Sequence, residues 1–201
     1  NILTSLLISH GIKEAVICPG AHNAALAHNL NECGSIRCQA VTDERSAGFM
    51  ALGMALATHA PVAVVVTSGS ALANLYPAAC EAFYQHAPLV FISADRPAAW
   101  IGQMDGQTMP QEGALGKMVK MSGSLPEDNL WHANRLLNEA MLACKDRLPQ
   151  GPVHINIPIS EPVYKFNAKV LPDARVIRLR NISLPIRKLS SPCGAKCSSV
   201  S

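Results

Sequence analysis

The run Pro61-Val62-Ala63-Val64-Val65-Val66-Thr67 constrains the fold more than any other stretch of this chain. It has the length of a strand, is rich in β-branched residues and holds no polar group before Thr67, the pattern of a strand buried on both faces. Such a strand needs a cover on each side, and helices supply both covers where strands lie parallel. Ser68-Gly69-Ser70 then turns the chain into a helix expected over residues 71–85.

The same alternation runs through most of the sequence. Helices are expected over residues 2–10, ended by Gly11, and over about 21–31, 46–58 and 130–144. Strands are expected over 15–18, 36–41, 89–94 and 152–158, with a short helix and a strand near 117–122. A Gly- and Gln-rich connector fills residues 98–111. Strands alternating strictly with helices predict a three-layer α/β/α fold around a mainly parallel sheet. With 49% hydrophobic and 15% charged residues, and aromatics at only 4%, the core is expected to be Ala, Val, Leu and Ile in tightly packed layers.

Residues 1–166 are expected as one domain of ordinary size, and 167–201, without sustained period and then rich in Ser, Lys and Cys, as a linker and disordered tail. The arginines and lysine at Arg175, Arg178, Arg180, Arg187 and Lys188 suit a solvated stretch. A net charge of +3 with scattered basic residues gives no electrostatic footprint for nucleic acid. No apolar run approaches a membrane span and no signal peptide is expected, although the chain starts inside what reads as a helix, so residues upstream are expected to be missing. Seven cysteines without a regular framework fit a reducing cytoplasm. Cys193 and Cys197 have metal-like spacing but no partner pair nearby, which favours two spare thiols over zinc.

Chemistry in open α/β sheets collects beyond the strand ends. Four of these ends carry polar or turn motifs: Pro19-Gly20-Ala21-His22-Asn23, Asp43-Glu44-Arg45, Thr67-Ser68-Gly69-Ser70 and Asp95-Arg96-Pro97. On residue types alone, Asp43 suits a helix cap and Glu44 a positive first helical turn. A carboxylate beside a helix of small residues also suits proton work. Thr67 to Ser70 could aim amides at an anion, or supply an ordinary serine cap from Ser68 or Ser70. Arg96 suits a carboxylate, or a structural pair with Asp95. Gln107 is either a substrate contact or a solvated amide. His154, on an apolar strand, suits a hydrogen-bonded core histidine.

The strings Cys-Pro-Gly (18–20), Thr-Asp-Glu-Arg-Ser-Ala-Gly-Phe (42–49), Thr-Ser-Gly-Ser-Ala-Leu-Ala-Asn-Leu-Tyr-Pro-Ala (67–78) and Ser-Ala-Asp-Arg-Pro (93–97) resemble the pyrimidine-binding domain of thiamine-diphosphate enzymes. More narrowly, they and residues 151–164 resemble the 2-succinyl-5-enolpyruvyl-6-hydroxy-3-cyclohexene-1-carboxylate synthases of menaquinone biosynthesis. The likeness covers about residues 2–166. It implies a cytoplasmic transferase that decarboxylates 2-oxoglutarate and adds the resulting succinyl-semialdehyde carbanion equivalent to isochorismate. It also implies that Glu44 is catalytic, hydrogen-bonding N1′ of the cofactor's aminopyrimidine from a dry site. Pro19, Gly20, Thr67 and Asn74 are the other implied cofactor contacts, and Ala21, His22, Ser68, Arg96 and Gln107 the implied substrate contacts.

Two positions depart from the family's pattern. Ala21-His22 stands where Ser-Arg is usual, and Gly106 where Asn or Ser usually precedes the glutamine. A histidine does not replace a permanently charged fork. The family also holds Mg²⁺ (or Mn²⁺) through a Gly-Asp-Gly and a downstream Asn, a motif these residues do not contain. The resemblance therefore implies half a site, completed by a second domain, a complementary chain or a homo-oligomer, and an isolated chain without turnover. Two other readings stay open: an acetolactate-synthase-like thiamine-diphosphate enzyme, and a non-catalytic binding or assembly module that retains the fold.

Overall fold

A computed structural model describes residues 1–160 and 170–179. Its elements in order are α1 (Ile2–Ser9), β1 (Glu14–Ile17), α2 (Ala24–Glu32), β2 (Arg37–Ala40), α3 (Glu44–Thr58), β3 (Val62–Val66), α4 (Ser70–Ala73), α5 (Tyr76–Tyr84), β4 (Leu89–Asp95), β5 (Ser122–Ser124), α6 (Leu130–Met141) and β6 (Val153–Pro158). The six strands form one sheet in the order β2-β1-β3-β4-β6-β5, and every pairing is parallel.

β3 is buried along its whole length, and its side chains alternate between two cores. Ala63 and Val65 meet α1 and α6 through Leu3, Leu7, Leu137 and Met141. Val62, Val64 and Val66 meet α3, α4 and α5 through Ala51, Leu52, Leu72 and Ala82. The expected three layers are thus present, with small residues on the α3–α5 side. A Cβ built on Gly48 of α3 would stand 2.8 Å from Ala78 Cβ of α5, so these helices approach closely because Gly48 has no side chain.

Several boundaries differ from expectation. The helix expected over 71–85 breaks into α4 and α5. Pro77 has no N–H for the Ala73 carbonyl one turn earlier, and its ring crowds that carbonyl. α2 starts at Ala24, because Asn23 holds the preceding turn: its Oδ1 accepts from Gly20 N (2.8 Å) and its Nδ2 donates to Cys18 O (2.8 Å). The strand expected near 117–122 is only Ser122–Ser124, since residues 116–118 form a tight 3₁₀ turn. α6 ends at Met141 and widens into a π turn over Leu142–Asp146.

Residues 170–179 run along α1 and α6. The side chain of Asn138 accepts from Ile177 N (2.7 Å) and donates to Arg175 O (2.9 Å), and Arg178 donates to Ser9 O (3.0 Å). Ala174 and Val176 pack on the core, so this stretch is fastened rather than simply solvated. The domain boundary expected at residue 166, the cysteines Cys193 and Cys197, and Arg180, Arg187 and Lys188 lie outside the described residues.

Candidate active site

The sheet order places β2 on one side of β1 and β3 on the other, so the chain changes winding direction between β1 and β3. The crevice beyond that pair of strand ends is where an open α/β sheet takes a ligand. Pro19 and Gly20 follow β1, and Thr67 and Ser68 follow β3. A Cβ on Gly20 would stand 2.7 Å from Thr67 Cβ, so the two loops touch only because residue 20 is glycine. Thr67 Oγ1 and Ser68 Oγ are buried there with no hydrogen-bond partner among the described residues. An unsatisfied buried hydroxyl costs about 1–3 kcal/mol, so both are available to a polar ligand at little penalty.

Asp43 and Glu44 divide the two tasks open to them on sequence. Asp43 Oδ1 accepts from Ser46 N (2.7 Å) and caps α3, and hydrogen bonding from Ser46 holds its carboxyl below the ordinary range. Glu44, half-buried at the first position of α3, is left free of capping. Its Oε2 lies 3.5 Å from Asn74 Nδ2, a long contact made across the break between α4 and α5. Cys18, at the end of β1, has its thiol pushed up to about 11 by burial and by the charges of Glu44 and Asp43, which puts the glutamate beside the crevice.

The Arg96 corner lies further along the strand ends. Asp95 is buried; its Oδ1 accepts from Arg96 N (2.8 Å) and its Oδ2 from Asn156 Nδ2 (2.7 Å), while desolvation raises its pKa. The side chain of Arg96 pairs instead with Asp105 in the connector, Nε to Oδ2 at 3.3 Å. Its Nη1 reaches His22 Nδ1 at 3.3 Å. His22 points inward, with Nε2 near the carbonyl oxygens of Asp95 and Ile159. Ala21 is exposed on the same turn. Arg96 lines a cleft of about 250 Å³ with Gln111, Ser124 and Asn156.

Gln107 is exposed, with its backbone against Gly69: a Cβ on Gly69 would stand 3.0 Å from Gln107 O. The structure therefore brings Gln107 to the turn after β3 through its main chain. Neither Ser68 nor Ser70 caps α4; Gly69 holds that position and its amide donates to Gln111 Oε1. Gln111 is a residue that sequence reasoning missed. Its Nε2 donates to Ala94 O (2.9 Å) and to Asn156 Oδ1 (2.8 Å), tying the connector to three strand ends. Asn156 had a readable signal, because it stands two residues from His154 on one face of an apolar strand. Gln111 and Asp105 had none, sitting in a connector without period. His154 is a core histidine, bonded to Ser93 Oγ (2.8 Å) and Ser122 Oγ (3.0 Å).

Residues 1–118 match the family described as "Thiamine pyrophosphate enzyme, N-terminal TPP binding domain". The chain belongs to this family. It is also similar to curated 2-succinyl-5-enolpyruvyl-6-hydroxy-3-cyclohexene-1-carboxylate synthases. The protein of that name from Phocaeicola vulgatus is 57% identical over 179 residues, covering 87% of this chain and 32% of the relative. The one from Bacteroides thetaiotaomicron is 54% identical with the same coverage, and the one from Cytophaga hutchinsonii 43% identical over 81% of this chain and 30% of the relative. The chain spans about a third of the length of the curated relatives it matches. A thiamine pyrophosphate domain needs a polar crevice with a carboxylate at its edge. The unpartnered Thr67 and Ser68 hydroxyls, and Glu44 near Cys18 at the end of β1, fit that need. No helix among the described residues is long and apolar enough to cross a membrane, and no cluster among them could hold a metal ion.

Proposed function

We propose that this chain forms the pyrimidine-binding part of a cytoplasmic transferase that decarboxylates 2-oxoglutarate and adds the product to isochorismate in menaquinone biosynthesis. What supports the reading is the Glu44 carboxylate, bonded only at long range by Asn74, at the start of α3, together with two unpartnered hydroxyls at the β1–β3 crevice. The relatives are named as synthases of a succinylated cyclohexene carboxylate, a product that fits these two substrates. Residues 1–166 are the domain in question. Thiamine diphosphate supplies the electron sink for the decarboxylation when it is bound.

The chain's own residues bind and orient. Glu44 holds a proton at the edge of the pyrimidine, with Asn74 steadying its carboxylate. Thr67 Oγ1 offers a hydrogen bond, and Pro19 and Gly20 shape the opposite wall. On the substrate side Arg96 meets a carboxylate, Ser68 and Gln107 contribute polar contacts, and Ala21 leaves open space where its relatives' family usually has a serine. His22 adds no permanent charge there. Mg²⁺ or Mn²⁺ and the diphosphate would be held by a second domain, and a homo-oligomer or a complementary chain carrying that domain would complete the site.

The test is reconstitution with a chain carrying the diphosphate-binding domain of a close relative, given 2-oxoglutarate, isochorismate, thiamine diphosphate and Mg²⁺. Turnover that disappears with Glu44→Gln supports the proposal. Activity on pyruvate but not 2-oxoglutarate would point to an acetolactate-synthase-like enzyme. Assembly without turnover, unaffected by Glu44→Gln, would leave a binding module.

A further inference from the structure

His22 occupies a position where the sequence departs from its family's usual arginine, and its surroundings define a different task for it. The imidazole is 3% exposed. Its Nε2 lies 3.1 Å from Asp95 O and 2.9 Å from Ile159 O. A carbonyl oxygen only accepts, so Nε2 carries the proton. Its Nδ1 lies 3.3 Å from Arg96 Nη1, and a guanidinium only donates, so Nδ1 is the acceptor. Opposite edges of the ring thus demand the same neutral tautomer.

Arg96 is held from two sides. Asp105 Oδ2, in the connector, forms an ion pair with Nε across 3.3 Å, without the alignment of a hydrogen bond, and His22 Nδ1, in the turn after β1, accepts from Nη1. Nη2 and the second N–H of Nη1 stay open to an incoming anion. The two ends of His22 also matter to the frame, because Asp95 closes β4 and Ile159 follows β6. The imidazole therefore spans from the strand ends that carry Arg96 to the arginine's own head group. A guanidinium held in one orientation loses less freedom when it pairs with a carboxylate.

We propose that His22 is a positioning residue for Arg96, fixing the guanidinium through Nδ1 while Nε2 is anchored on two strand-end carbonyls, and that it makes no contact with substrate itself. The inference rests on the proposed role of Arg96 as the carboxylate-binding group. It makes this corner a site with one oriented cation rather than two.

Imidazole ¹⁵N NMR of the full chain at about pH 8, above the ordinary histidine range, tests the arrangement directly. His22 is expected with its proton on Nε2 and with Nδ1 shifted by a hydrogen bond. In Arg96→Leu the Nδ1 resonance should move toward the unbonded position while Nε2 stays in place. A proton on Nδ1, or an Nδ1 resonance indifferent to Arg96→Leu, overturns the proposal. The tautomer of the unsubstituted chain decides the question even if the variant does not fold. In a reconstituted enzyme, His22→Leu should raise KM for a carboxylate substrate on the order of tenfold and lower kcat by less. A fall in kcat with KM unmoved would exclude positioning. The tautomer does not depend on turnover, so an inactive reconstituted enzyme counts against the proposed reaction and a wrong tautomer against the role of His22.

Discussion

Asp43 and Glu44 are adjacent carboxylates with separable consequences. Asp43 caps α3, whereas Glu44 makes one long contact to Asn74 and no cap. Glu44→Gln should therefore leave the thermal midpoint of the chain nearly unchanged. In a reconstituted enzyme it should lower turnover by on the order of 10²–10⁴-fold, the range for a lost proton-transfer group. A large drop in melting temperature with turnover retained would give Glu44 a structural role instead. Gly20 tests the opposite wall of the crevice. Its Cβ-to-be stands 2.7 Å from Cβ and 2.9 Å from Oγ1 of the β-branched Thr67 just after β3. Gly20→Ala should cost about 1–3 kcal/mol by overpacking, read by urea unfolding, and should displace the Thr67 hydroxyl from the crevice.

At the scale of elements, two glycines on α3 make opposite predictions. Gly48 faces Ala78 Cβ at 2.8 Å and Leu75 Cδ2 at 3.2 Å, whereas Gly53 on the exposed side has nothing within 4 Å. Gly53→Ala should stabilise the chain by about 0.5–1 kcal/mol through helix propensity. Gly48→Leu should destabilise it by about 1–3 kcal/mol by forcing α3 away from α5. Urea midpoints moving in the same direction for both would contradict this packing. These positions also illustrate what was legible in the sequence. The close-packed α3 was readable from its Gly and Ala recurrence, and β3 from its unbroken apolar run. The break between α4 and α5 was missed, although Pro77 stands where a helix interior needs an N–H. The polar frame of Gln111, Asn156 and Asp105 was not readable, because long-range hydrogen bonds such as Gln111 to Gly69 leave no local period. The inward turn of His22 was hidden for the same reason: its partners Asp95, Arg96 and Ile159 lie far along the chain.

Over the whole molecule, that buried frame couples folding to pH. His154, on β6 between β4 and the edge strand β5, is 0% exposed and bonded to Ser93 and Ser122. Ser93 Oγ donates to Asn156 Oδ1, so it accepts from His154 Nε2 and fixes the ring as a neutral donor. Desolvation lowers the pKa of His154 from an ordinary 6.5 to about 4. Between these values the unfolded chain binds the proton that the folded chain refuses. Stability is therefore full above about pH 6.5 and is lost as pH falls toward 4, by on the order of 3 kcal/mol for this group. His10, lowered chiefly by burial beneath α6, acts in the same direction. Asp95 acts in the other: burial raises its pKa, so its contribution is greatest below the ordinary 3.8 and is lost as pH rises through the folded value. Asp43, lowered by its Ser46 hydrogen bond, acts with the histidines only once pH falls through the carboxylate range. The acid sensitivity that begins above that range therefore belongs to the histidines. Urea unfolding at about pH 7.5 and about pH 4.5 should show a clear loss for the unsubstituted chain and a smaller one for His154→Gln, whose amide can still meet both serines. An equal loss in the two proteins would move the acid sensitivity elsewhere in the fold.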